Sequence, residues 1–212
     1  RNIRQVYRLY ERRLISAEAK AFRAAHCRPQ TTIEFVGVWD TVKSLGINAP
    51  VLWRLSAARH AFHNHDLSAC VKRGCQALAR DETRVVYRPV MWTSDPARPD
   101  QIRQVWFRGS HGDIGGQLSG RHASRSLSNI PLVWMLEQAA QMGLPLPDNW
   151  QDRFVQDVTA PSIGTWAGWG KLFVTRRKRV IGADPSEQLH SSIQVVPSEE
   201  LHPLAEIARM RS

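Results

Sequence analysis

The sequence has no apolar run of 18 residues or more, so no segment of it reads as a membrane-spanning helix. It opens on Arg1 rather than Met, and a charged, helix-patterned stretch stands where the apolar core of a secretory signal would lie. Such an opening is expected of a segment cut from a longer protein. Cysteine is scarce: Cys27, Cys70 and Cys75 are odd in number and lack CxxC spacing, which points to neither a disulfide framework nor a zinc site. They are expected to be reduced, buried thiols. Repeats and low-complexity tracts are absent too, which excludes solenoid and fibrous architectures. Acidic residues are few, 19 Asp and Glu against 29 Lys and Arg, a formal charge of +10 that favours anionic partners such as phosphate-bearing lipid or nucleic acid. No nucleic-acid-binding motif accompanies the charge, so nucleic acid is not expected as a partner. Much of the excess lies in the opening helix and in the run Arg176, Arg177, Lys178, Arg179, which read first as a solvated helix face and a solvated loop.

What is present is enough for a core. Hydrophobic residues make up 42% of the 212, which excludes wholesale disorder and suits one domain or most of a larger one. Val6, Leu9, Tyr10, Leu14, Ala17, Ala21 and Phe22 recur at helical spacing and predict one amphipathic helix over 4–26, ending near Pro29. Residues 32–39 are β-branched, aromatic and nearly continuously apolar, as in a strand buried in a parallel sheet. Asp66 can cap a helix to about Arg80, with Leu67, Cys70, Val71, Cys75 and Leu78 inward. An extended stretch over 84–92, a strand over 102–107, a glycine-rich loop over 108–116 and a helix over 129–142 follow. Pro131 fits that helix in its first turn, and Gly143 stops it. Alternating strands and helices predict an α/β domain with a mostly parallel sheet flanked by helices.

Two reactive side chains stand just past predicted core strands, where the loops of a parallel sheet converge on one crevice. Asp40 ends the first strand, and His111 follows the strand over 102–107. A buried carboxylate there can orient an imidazole and stabilise its protonated form during acyl transfer. A strand-end turn would explain Asp40 equally well, and a locally bonded loop histidine would explain His111.

Three blocks add to this pair: Phe35-Val36-Gly37-Val38-Trp39-Asp40-Thr41-Val42, Ala77-Leu78-Ala79-Arg80-Asp81-Glu82 and, most specifically, Val105-Trp106-Phe107-Arg108-Gly109-Ser110-His111-Gly112-Asp113-Ile114-Gly115-Gly116. Together they resemble an α/β-hydrolase domain family that includes phospholipase effectors of bacterial type VI secretion. Leu189-His190-Ser191-Ser192 is similar in order and spacing, so the resemblance covers about residues 30 to 195. It implies an α/β-hydrolase-like fold, incomplete at its N-terminus, and a Ser-Asp-His triad in which Asp40 is the acid and His111 the general base. No cofactor or metal is implied.

The nucleophile of that family should lie on a G-x-S-x-G elbow before the acid, and none precedes Asp40. The serine and the oxyanion donors are therefore expected upstream of Arg1, or the protein has neither. Ala160-Pro161-Ser162-Ile163-Gly164 imitates an elbow but follows both Asp40 and His111 and lacks a preceding strand. The sequence departs from the family at Gln76, where His is usual, at Lys43, where a small residue is usual, and at Gly112, where Ser is usual.

Asp113 is expected to order the loop by accepting backbone N–H bonds, with Gly109 and Gly115 shaping it. His60, His63 and His65 match no common zinc spacing, and His190 reads as structural. Trp150, Trp166 and Trp169, followed by the 176–179 basic run, suit either an anionic membrane surface or a segment shielding the site. The domain reading is residues 1–147 as the C-terminal part of a hydrolase core and 148–212 as an irregular lid or completion of the same domain. The functional expectation is a serine ester hydrolase acting on phospholipid or another ester, cytoplasmic in a bacterial producer or secreted into a target cell with a carrier or immunity protein. The alternative is a non-catalytic interaction module on a hydrolase scaffold.

Overall fold

The computed structural model describes residues 3–11, 16–28, 31–42, 67–166 and 168–193. Two helices, α1 (Ile3–Glu11) and α2 (Ala17–His26), occupy the stretch expected to be a single helix over 4–26. Ser16 is the reason for the second start: its backbone is extended, and its hydroxyl accepts the Ala19 N–H at 3.1 Å, an N-cap that begins a helix.

The sheet is built of β1 (Ile33–Trp39), β2 (Val71–Ala79), β3 (Ile102–Phe107) and β4 (Glu187–Leu189), in that spatial order and parallel throughout. The chain thus has the α/β fold expected of it. β1 has the expected span and direction, but it is half-exposed rather than buried, because it is the outermost strand of the described sheet. β2 corrects the expected 66–80 helix. Its run Gly74-Cys75-Gln76-Ala77-Leu78-Ala79 is buried on both faces between β1 and β3, and a continuous apolar run serves a central strand as well as a buried helix. Parallel pairing on both sides outweighs the helix propensity of its alanines. Gly74 has to be small, since a Cβ there would lie 2.5 Å from Leu67 Cδ2.

Residues 84–92 are not a sheet strand but an irregular crossing with a 3-10 turn at Val85–Tyr87. Buried glutamines tie that crossing down. Gln76 donates to Val90 O at 2.9 Å, and Gln104 accepts from Trp92 N at 2.9 Å while donating to Trp92 O at 3.0 Å. The loop after β3 contains a short helix, α3 (His111–Gly115). The long helix α4 (Arg125–Gln141) begins earlier than expected, so Pro131 falls beyond its first turn. Gly143, in the left-handed region at φ 93°, ends it. Only Cys75 of the three free cysteines is buried; Cys27 follows α2 and Cys70 lies in the turn before β2, both exposed.

The main core lies between the sheet and α4, where Phe107, Ile130, Trp134 and Met135 meet the small residues Ala77 and Ala79. Close approach of α4 to β1 depends on Gly37, where a Cβ would sit 2.7 Å from Met135 Sδ. Met135→Ala should therefore open a cavity against that glycine and lower stability by about 2–5 kcal/mol, read from urea denaturation midpoints.

Candidate functional site

The parallel register brings the carboxyl ends of β1, β2 and β3 to one edge of the sheet, where ligand sites of such sheets form. Asp40 leaves β1 in the left-handed region at φ 44°, a conformation that Asp tolerates better than most residues. This turn, held by Asp40 N donating to Ala77 O at 2.7 Å, sends the side chain across the end of β2. His111, the first residue of α3, reaches it from the far side of β2. His111 Nδ1 and Asp40 Oδ2 lie 2.7 Å apart. The Asp40 side chain is 0% exposed and that of His111 is 29% exposed, so the pair is sealed at the carboxylate and open at the imidazole.

Asp40 has a second, larger partner. Arg179 forms a fork on it: Nη1 donates to Oδ1 and Nη2 donates to Oδ2 at 2.9 Å. The same nitrogens donate to Ala79 O and Tyr87 O, each at 2.7 Å, and Ala79 N donates to Oδ1 at 3.0 Å. Burial by itself would push the Asp40 carboxyl up, but the bonds from His111 and Arg179, with the Arg179 charge, outweigh it and hold the group below the ordinary carboxylate range.

The loop carrying His111 is fixed by three further acids. Asp81 Oδ2 accepts Gly109 N–H at 2.7 Å, and Glu82 Oε2 accepts His111 N–H at 3.1 Å. Glu82 is itself gripped by Arg84, Nη2 to Oε2 at 2.6 Å; burial alone would raise its carboxyl, and the Arg84 bonds bring it below the usual value. Asp113, fully buried, accepts from Ser110 N at 2.8 Å, Ser110 Oγ at 2.8 Å, Ser162 Oγ at 2.6 Å and Ile163 N at 3.0 Å. Gly109 sits at φ 119°, and a Cβ there would meet Asp113 Cβ at 2.7 Å. Around Gly115 the space is open, and the left-handed turn falls instead on Gly116 at φ 75°. The Tyr87 ring lies 4.7 Å from that of His111 and carries the Arg84 guanidinium on its other contacts, 4.1 Å from the ring centroid.

Sequence reasoning singled out Asp40 and His111, and the structure brings them together. It passed over Arg179, Glu82, Asp81 and Tyr87. The adjacent acids Asp81 and Glu82, directly after a buried strand, were a usable signal; Arg179 offered none beyond its place in a basic run. That run is not simply a solvated loop. Arg176 turns inward to donate to Thr83, Thr165 and Gly170 with its guanidinium 3.5 Å from the Trp166 ring centroid, and Arg179 is 6% exposed, while Arg177 and Lys178 face solvent. Trp150 is buried, Trp166 is exposed beneath Arg176, and the side chain of Trp169 lies outside the described residues. Ser162 of the imitation elbow spends its hydroxyl on Asp113, not on His111. His190 stacks on Phe107 at 4.5 Å, away from the pair, and burial pulls its imidazole below the ordinary value. His60, His63, His65 and Lys43 lie outside the described residues. Among the described residues, no cluster of His, Cys, Asp or Glu could hold a metal ion, and no helix is long and apolar enough to cross a membrane.

The fold and site together define an α/β protein with a buried carboxylate and a half-open imidazole at the strand ends. A family model described as the type VI secretion phospholipase effector Tle1-like catalytic domain matches residues 2–138, and the chain belongs to that family. No curated protein and no solved structure matches the chain.

Both Asp40 and Glu82 titrate lower in the folded state than their ordinary values of 3.8 and 4.5. Their contribution to stability is complete above those ordinary values and is lost as pH falls through the depressed folded-state values. Denaturation midpoints followed down through the acid range should fall more steeply for the wild type than for Asp40→Asn. Equal slopes would show that the buried carboxylate is not held by its partners.

Proposed function

We propose that this chain supplies the acid and base of a serine ester hydrolase acting on phospholipids. The 2.7 Å contact between His111 Nδ1 and a wholly buried Asp40 carries the reading. With Nδ1–H donated to Asp40, Nε2 becomes the acceptor on the exposed side of the ring. There it can take the proton of an attacking serine hydroxyl and return it to the leaving alcohol, while Asp40 stabilises the imidazolium between the two steps. Asp113 and Gly109 belong to this scheme as loop residues that present the ring rather than as reacting groups.

The serine required lies before Asp40 in chain order, upstream of residue 1. The place of β1 as the outermost strand among the described residues supports this, because a further parallel strand added there would end beside Asp40 and could present the nucleophile on a tight turn. Residues 148–193 complete the same domain in this reading, since they contribute β4 to the sheet and Arg179 to Asp40. Membership of a type VI effector family supports delivery into a target cell, and the exposed Arg177 and Lys178 suit an anionic membrane surface.

The test is fatty-acid release from phospholipid vesicles by the full-length protein. His111→Ala and Asp40→Asn should each lower kcat by roughly three to four orders of magnitude. Full activity in His111→Ala would reject the reading, and a wild-type protein without activity would leave the hydrolase scaffold as an interaction module.

A further inference from the structure

We propose that Arg179 is a positioning residue for the Asp40–His111 pair, fixing which carboxylate oxygen meets the imidazole. The proposal rests on the hydrolase reading of the pair.

The geometry is more exact than charge neutralisation needs. Each terminal nitrogen of Arg179 is shared between one oxygen of Asp40 and one main-chain carbonyl, Nη1 with Ala79 O and Nη2 with Tyr87 O. The planar fork is thereby anchored to the end of β2 and to the residue whose ring packs on His111. Through it the carboxylate plane is set, so that Oδ2 alone faces Nδ1. Without Arg179, Asp40 keeps the Ala79 N–H on Oδ1 and His111 on Oδ2, but no fork fixes the plane of the carboxylate. A lysine could supply the charge but not the fork.

The charge has a separate effect. A fixed cation on Asp40 stabilises the buried carboxylate and so keeps an ionised acceptor opposite Nδ1. The other groups facing His111 are the Asp40 carboxylate, the Tyr87 ring, Glu82 at its backbone N–H and Arg84 above Tyr87. Arg179 also lines a cavity of about 480 Å³ together with Trp92, Trp106 and Lys178, so truncation at 179 leaves the carboxylate open to a small cation from that side.

The experiment uses the full-length protein in the fatty-acid release assay, with Arg179→Ala, Arg179→Lys and, in parallel, His111→Ala. Arg179→Ala should lose about 10- to 100-fold in kcat with little change in KM. Added guanidinium ion should restore part of the lost kcat. Arg179→Lys keeps the charge but not the fork and should still lose kcat, which separates geometry from charge, and it carries the test if Arg179→Ala does not fold. Wild-type kcat in the folded Arg179 variants, with His111→Ala inactive, overturns the positioning role and leaves the hydrolase reading standing. An active His111→Ala overturns both.

Discussion

The structure turns on one buried carboxylate. Removing Asp40 from water costs several kcal/mol unless its oxygens are matched by donors, and the fold supplies them from three places. The end of β2 gives the Ala79 N–H, the loop after β3 gives His111, and the far segment around residue 179 gives both arms of a guanidinium. Each requirement constrains something larger. Asp40 must leave β1 in a left-handed turn, β2 must lie between the two partners, and the chain beyond α4 must return to the strand ends to deliver Arg179.

The same physics organises the surroundings. Although the chain is strongly basic, its site is laid out by acids. Asp81, Glu82 and Asp113 accept backbone N–H groups of Gly109, His111, Ser110 and Ile163, which leaves the loop no unpaired donors at those positions. Several of the arginines that make up the excess charge are consumed here: Arg84 on Glu82, Arg176 on Thr165 and Gly170, Arg179 on Asp40. The Arg84–Glu82 and Arg179–Asp40 pairs cancel internally, so the fold and not the composition decides which cations face outward.

What could be read from sequence was whatever has a local signature. The strand over 102–107, the placing of Asp40 and His111 past strand ends and the parallel α/β class all follow from short-range pattern. From sequence β2 reads as a helix because Cys75, Ala77, Leu78 and Ala79 suit either element, and only pairing with strands distant in sequence decides between them. The single helix over 4–26 missed a capping serine in its middle. Arg179 lay beyond reach for the same reason as β2: it meets Asp40 across a separation of 139 residues, and nothing in the spacing of Arg176, Arg177, Lys178 and Arg179 marks which of them turns inward.

That long reach bears on where the functional unit ends. The family match stops at residue 138, inside α4, yet the sheet's fourth strand and the second partner of Asp40 both come later, at residues 187–189 and 179. A truncation at the boundary of sequence similarity would leave Asp40 with a hydrogen bond from Ala79 and a histidine, but without the cation that balances its burial. Because a buried charge stripped of its partner is worse than one never paired, the cost would fall on the pair itself and not only on a distant edge of the domain. Similarity along the chain and completeness of the electrostatic site are separate properties here, and the second sets the physical boundary.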